Sequence, residues 1–241
     1  MRSLYLHEYV DIVGQGAATY MEHAQAFDAD AAAGRGVQLL GTWEVVGSSG
    51  RWLQVVNVWE LVGGWQGWHA LVDHANVRRR ANQALADWWE EAYRVRSGGF
   101  DRLLGAVPGC PSLAELQARG VRGSLFVHEL SHVRPGAALD YLAAVRDEWA
   151  PVRAEHGHTL VGLYEVLLGD TEVVTVWAAS LDAHVAAGQA EDAAAGLDDD
   201  ASVAGDERIL KWRQRAREWL TGWREELMVP APGTPLAEVA A

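Results

Sequence analysis

The chain has 241 residues, 49% of them hydrophobic and 22% charged, with a net charge of −13. That length allows one large domain or two small ones, and the composition is ordinary for a globular protein. The acidic balance argues against nucleic acid as a partner; no stretch approaches the ~18 apolar residues of a membrane span; and a single cysteine, Cys110, rules out an internal disulfide.

No basic region followed by a long apolar run opens the chain, so no signal peptide is expected and a cytoplasmic location is the default. Leu4 to Ile12 alternates Tyr5, His7 and Tyr9 with Leu4, Leu6 and Glu8, the period of a strand. Gly14-Gln15-Gly16 breaks it, and Ala17 to Ala33 reads as a helix. Val37 to Val46 and Trp52 to Leu61 are strands joined through Gly47-Ser48-Ser49-Gly50, a hairpin signal. A long helical region is expected from Trp65 to Arg96, then a short fourth strand at Leu103 to Val107 and a link at Leu113 to Gly120.

Beyond the link the same pattern returns. Ser3-Leu4-Tyr5-Leu6-His7-Glu8 matches Ser124-Leu125-Phe126-Val127-His128-Glu129 at a shift of 121. Tyr20 meets Tyr141, and Leu39, Gly41, Glu44 and Val45 meet Leu160, Gly162, Glu165 and Val166. The shift then falls to 118, where Val55, Val56, Val58 and Trp59 meet Val173, Val174, Val176 and Trp177. One three-residue gap, at a tighter Gly169-Asp170 hairpin, accounts for the change. A self-match over several elements decides the architecture before any local reading does. In the second copy an acidic loop interrupts the helical region, which resumes from Asp206, an N-cap candidate, and is expected to run to Leu227. Pro230, Pro232 and Pro235 lead into a tail expected to be poorly ordered.

Each copy reads β-α-β-β-α-(β), a ferredoxin-like unit with helices on one sheet face. The other face must be covered, and two copies can cover each other. The expected fold is therefore α+β: two tandem ferredoxin-like repeats packed sheet to sheet as a pseudo-dimeric α+β barrel. Its parts are repeat 1 over residues 1–112, a linker over 113–122, repeat 2 over 123–230 and a flexible tail over 231–241.

Leu6-His7-Glu8-Tyr9 through Gly16, and Val127-His128-Glu129-Leu130 through Arg134-Pro135-Gly136, resemble the opening of the NIPSNAP family within the dimeric α+β barrel superfamily. Leu40-Gly41-Thr42-Trp43, the glycine hairpin and Val56-Asn57-Val58-Trp59-Glu60 extend the likeness. The family often shows Arg after the first-strand Leu, where this chain has His7 and His128. The resemblance implies a superfamily of cofactor-independent monooxygenases, small-molecule isomerases and lyases, haem enzymes and ligand binders. Fold does not dictate which.

Twelve tryptophans stand out, seven of them in the first half. An indole suits stacking on a planar or polyene ligand and equally suits core filling. The cluster Trp65-Gln66-Gly67-Trp68-His69 has no counterpart of equal density in the second half, which points to the first half as bearer of the pocket. His7 and His128 are repeat-equivalent, each beside a Glu that points to the opposite face. His69 and His74 are five apart, poor spacing for one helix face. His156-Gly157-His158 reads as a surface loop. Glu44 and Glu165 are equivalent acids on apolar strands, where desolvation would suit acid–base work. No Walker lysine, complete dinucleotide fingerprint or nucleophile elbow is present.

The leading expectation is a cofactor-independent enzyme acting on an apolar or aromatic small molecule by oxygenation, isomerisation, cyclisation or elimination, with specialised metabolism as its candidate setting. His7, His69 and Glu44 are the candidate catalytic residues. Tyr5, Tyr20, His23, Trp43, Trp59, Trp65, Trp68, His74 and His128 are the candidate substrate-binding residues. No metal or cofactor is expected, and a second copy of the chain, in a homodimer, is a candidate partner. A non-catalytic binder or assembly protein, and a haem or metal enzyme, are the alternatives.

Overall fold

The computed structural model describes residues 2–31, 36–77, 83–198, 200 and 202–238. They form two compact units, one from Met1–Ala106 with Leu227–Ala241 and one from Val107–Glu226.

The first unit runs β1 (Leu4–Ile12), α1 (Ala17–Ala31), β2 (Val37–Val45), β3 (Gln54–Leu61), α2 (Trp65–Val72), α3 (Gln83–Ala92) and β4 (Arg96–Ala106). A π-helical turn, Asp73–Val77, follows α2. The sheet order is β4-β1-β3-β2, antiparallel throughout. Helix α1 packs on this sheet through Tyr20 and Met21, which join Val10, Ile12 and Val55 in one buried cluster.

The second unit runs α4 (Leu113–Ala118), β5 (Leu125–Val133), α5 (Ala138–Ala144), α6 (Ala150–Glu155), β6 (Thr159–Val166), β7 (Glu172–Ala179), α7 (Leu181–Ala194), α8 (Glu207–Ala216) and β8 (Leu220–Pro230). The order β8-β5-β7-β6 repeats that of the first unit. Strand β8 belongs to both units: residues from Leu227 on lie with the first, where Val45 pairs with Met228 and Trp43 with Pro230. Each unit is thus an α+β, ferredoxin-like arrangement, the class that the repeat predicts.

Two glycines show why the repeat holds. A Cβ on Gly41 would lie 2.1 Å from the Trp43 indole, and one on Gly162 would lie 2.1 Å from the Tyr164 ring. Each ring lies across the strand two residues before it, space that only glycine leaves open. Both strands also shift register at this point, between Leu39 and Gly41 and between Leu160 and Gly162.

Several element readings change. The fourth strand spans eleven residues, Arg96–Ala106, rather than Leu103 to Val107. Helix α8 ends at Ala216, and the residues up to Leu227 that were read as helix enter β8 instead. Trp219 and Trp223, four apart, mimic a helical stripe. In β8, however, buried Glu226 and Met228 sit two apart, the period of a strand. Residues 113–118 form a helix of the second unit. Its capping box is made by Ser112 and Glu115, and Leu113 and Leu116 are buried beneath it. Where a loose tail was expected, Ala231, Leu236 and Ala237 are buried and the Ala231 amide donates to the Thr42 carbonyl. Residues 32–33 of the expected first helix, and 78–82 of the expected second, lie outside the described residues.

Between α5 and α6 the helix passes through a π-helical turn, Val145–Trp149. Pro151 explains it: proline has no N–H to offer the fourth carbonyl back, and its ring crowds that carbonyl, so the backbone widens ahead of it. The turn sits between Tyr141 and Arg153, both of which face the sheet.

Candidate functional site

In the second unit the helix-facing side of the sheet carries Glu129 on β5 with Thr175 and Trp177 on β7. The register places Glu129 opposite Thr175. The Trp177 indole donates to Glu129 Oε2 at 2.9 Å, Thr175 Oγ1 donates to the same oxygen, and Arg153 Nη2 donates to Oε1 at 2.8 Å. The same Arg153 nitrogen also donates to Glu225 Oε1 on β8. One buried guanidinium therefore holds two carboxylates, with Trp149 and Trp177 flanking its plane at 5.2 and 5.4 Å.

The two acids are not equivalent. Burial alone would raise the Glu129 pKa, but the Arg153 charge and the Thr175, Trp177 and Arg153 hydrogen bonds bring it down to about 2. For Glu225, burial raises the pKa, Arg153 pulls it back and the Glu129 charge raises it again, leaving it pushed up to about 7. The pair titrates as a unit, and the direction is set by the donors: three hydrogen bonds hold the charge on Glu129, so the proton resides on Glu225. The Glu225 side chain keeps 21% of its surface accessible and is the member that can exchange that proton.

Glu225 and Glu129 form part of the wall of a cavity of about 220 Å³. Four aromatic rings share that wall with residues that include Ser131, Arg217, Leu220 and Thr221. Trp149 and Trp212 stack with centroids 5.6 Å apart and planes 7° apart, and Tyr141 stacks on Trp212 at 6.1 Å. Trp223 also lines the cavity, with the Arg213 guanidinium 4.2 Å from its ring. The Tyr141 phenol is held in its neutral form by burial and by the Glu129 charge. A smaller hollow of about 100 Å³ shares Trp149, Arg213 and Glu225 with the first and adds His156 and His184.

The first unit repeats the framework with different electrostatics. Glu8 Oε2 accepts from Trp59 Nε1 at 2.7 Å and from Asn57 Nδ2 at 3.0 Å, and Asn57 also reaches the Tyr20 hydroxyl at 3.2 Å. Asp101 on β4 sits opposite Glu8. Here burial, then the Asp101 charge, raise the Glu8 pKa, and the Asn57 and Trp59 hydrogen bonds do not overcome them. Asp101 is raised too, by burial against the pull of Arg96; its accessible position on β4 screens much of that effect.

The residues nominated from the sequence fall into three places. His7, Tyr5 and Trp43 are fully buried on the sheet face away from α1, where His7 meets Tyr9 edge-on at 5.1 Å. His128 occupies the matching face of the second unit, with Nδ1 3.4 Å from Glu226 Oε2. Tyr20 and Trp59 converge on Glu8 on the opposite face. Glu44 is half-buried on that face too, opposite Val55, and His23 is half-buried on α1. His69 and His74 are exposed; Trp65 is exposed and Trp68 half-buried, the two packing edge to face. The structure thus brings together Tyr20 and Trp59 but separates them from His7 and from the α2 histidines. His156 and His158, expected on a surface loop, are instead engaged: His158 is buried, and His156 Nε2 lies 2.9 Å from Asp206 Oδ2.

The residues missed are Glu129, Arg153, Thr175 and Glu225. A signal existed for the first. The repeat match at Glu8/Glu129, Tyr20/Tyr141 and Trp59/Trp177 marks three groups that meet in space in both copies. Glu225 was hidden because its strand was read as helix.

Among the described residues, no group of three or more His, Cys, Asp or Glu is placed to hold a metal. A haem would need an axial side chain facing a cavity. The larger cavity's described lining offers no histidine, cysteine or methionine, and its Tyr141 is held in the neutral form that binds iron poorly. Histidines, His156 and His184, line the smaller hollow beside it. No described helix is long and apolar enough to cross a membrane.

No protein-family model and no curated protein matches the chain. Solved structures do match over nearly its whole length. An "anthrone oxidase-like protein" covers 99% of this chain and 97% of its own, with 15% identity and a TM-score of 0.61. A "putative monooxygenase" from Lactobacillus acidophilus covers 100% of both chains, with 10% identity and a TM-score of 0.60. Another described in the same words, from Fusobacterium nucleatum, covers 95% and 93%, with 8% identity and a TM-score of 0.58. At these identities the likeness shows the fold alone.

Proposed function

We propose that the second unit holds an acid–base site that oxidises an aromatic small molecule without a bound cofactor. The observation that carries this reading is the Arg153-bridged Glu129–Glu225 pair on the wall of a tryptophan-lined cavity. Two carboxylates whose surroundings drive their pKa values apart are the pattern of assigned acid–base roles. Glu129 stays charged and anchors Arg153. Glu225, poised near neutral pH, takes a proton from the substrate.

The stacked Trp149, Trp212 and Tyr141 offer flat, apolar walls for a fused-ring substrate. Deprotonating a ring methylene beside a carbonyl gives a carbanion stabilised by the ring system. That anion transfers its electrons to dioxygen and forms a peroxide at the same carbon. Loss of water from the peroxide, with the second methylene hydrogen leaving as a proton, produces a carbonyl. The balance is one methylene and one dioxygen consumed, one carbonyl and one water formed. The fold likeness to an anthrone oxidase-like protein and the NIPSNAP-like motifs support this choice among the reactions open to a base in such a cavity.

Anthrone is a suitable first probe. Metal-stripped protein is expected to raise its oxygen uptake above the protein-free rate, and Glu225→Gln to cut that gain about 10²-fold while anthrone still quenches tryptophan fluorescence. Binding with no accelerated oxygen uptake would leave the site as a binder of aromatic ligands, the reading that the Trp149–Trp212 stack supports without Glu225.

A further inference from the structure

The hollow beside Glu225 contains a histidine pair whose geometry fixes where its protons lie. His158 Nδ1 is 3.0 Å from the His156 carbonyl oxygen, which can only accept, so Nδ1 carries the hydrogen. His158 Nε2 then presents a lone pair. It faces His184 Nδ1 at 3.3 Å, so that nitrogen donates, and His184 Nε2 is left as a bare acceptor.

Other polar groups around this hollow are engaged. Arg153 is shared by Glu129 and Glu225, Arg213 pairs with Glu191, and His156 lies against Asp206. His184 Nε2 has no protein partner among the described residues. Burial, then the Arg153 charge, lower the proton affinity of His184, and the same causes with His184 itself bring His158 to about 3. Both rings are thus neutral at pH 7, as the tautomer chain requires. The Arg153 charge also disfavours an ammonium as the donor that His184 receives. A neutral hydroxyl is the donor that suits it.

We infer that His158 locks His184 as a bare Nε2 acceptor facing the small hollow, and that this nitrogen receives the hydroxyl of a phenolic or enolic ligand whose rings lie in the adjoining tryptophan cavity. The inference rests on the proposed aromatic site and narrows its ligand class. The two hollows share Trp149, Arg213 and Glu225 as walls, so they adjoin. His158 is a positioning residue here, because it acts only through His184.

The test uses 1-naphthol and its methyl ether, 1-methoxynaphthalene, which share rings but not the hydroxyl hydrogen. Wild-type protein is expected to bind the naphthol about tenfold more tightly, the worth of one hydrogen bond at the upper end of its range. His184→Phe is expected to erase that preference and leave the ether's affinity unchanged. Long-range ¹⁵N–¹H correlation of the ligand-free protein is expected to show His184 protonated at Nδ1. Equal binding of both probes by wild-type protein, or a His184 protonated at Nε2, overturns the inference and leaves the aromatic cavity standing. Failure of both probes to bind overturns the two together.

Discussion

The two units place the same three groups together, a strand glutamate that accepts from a strand tryptophan and a helix tyrosine beside them, yet they shift the glutamate's pKa in opposite directions. In the second unit Glu129 is held ionised; in the first, Glu8 is driven toward its protonated form. The difference is a counter-charge. Arg153 reaches Glu129 from α6, whereas the position in register with it at the 121 shift is Ala32. A framework of backbone register and aromatic packing thus repeats faithfully while one side chain decides the electrostatics. With Arg153 present, a second acid, Glu225, becomes the proton-carrying member. In the first unit burial and the Asp101 charge outweigh the pull of Arg96 and raise the Glu8 pKa.

Breaking Arg153 is the severest test of this contrast. Arg153→Met strands two carboxylates against a nearly buried position, and a loss of about 3–5 kcal/mol is expected, read from denaturant unfolding. Adding Glu129→Gln should recover much of it, since the second substitution removes the stranded charge. A single variant that unfolds at the wild-type denaturant midpoint would deny that the guanidinium organises the site.

Glu225→Gln comes next, with the roughly 10²-fold loss of anthrone-dependent oxygen uptake given above. Its first-unit counterpart, Asp101→Asn, is expected to change that rate less than twofold. Equal losses would mean that the first unit works too.

Gly41→Ala and Gly162→Ala probe the shared framework. Each pushes a methyl into the ring two residues on, and each should cost about 1–3 kcal/mol. Similar costs in thermal or denaturant unfolding would show that the units agree in packing where they differ in charge.

The smallest effect is the pH slope. Glu129, near 2 folded and about 4.3 unfolded, adds stability that is present above about pH 4.3 and lost as the pH falls toward 2. Glu225, raised to about 7, has the opposite sign: its contribution is present below about pH 4.3 and lost as the pH rises through 7. Glu8, also raised, follows Glu225 in sign. Denaturant unfolding across pH 4–8 should therefore show a falling limb that flattens in Glu225→Gln. The oxidation rate should instead rise through about pH 7, as Glu225 frees its carboxylate.

Much of the fold was legible in the sequence because its cause is local and repeated. Alternating apolar residues set the strands, the hairpin glycines set their pairing, and the register-matched Gly41/Trp43 and Gly162/Tyr164 fixed the same bulge twice. The fourth strands were harder. The first was read only from Leu103, and the second was read as helix to Leu227. Pairing with a neighbouring strand, which no local window contains, decided both.

The site divides in the same way. The repeat by itself determined that Glu8 and Glu129, Tyr20 and Tyr141, and Trp59 and Trp177 are equivalent, because a strand's two-residue period and a fixed shift leave no freedom in which face each occupies. Their meeting around one carboxylate, and the choice of Glu225 over Glu44 or His7 as the proton carrier, came only from the tertiary structure. A proton's place depends on burial and on charges brought within a few ångströms. Arg153 and Glu225, 72 residues apart in sequence, become neighbours only when α6 and β8 pack.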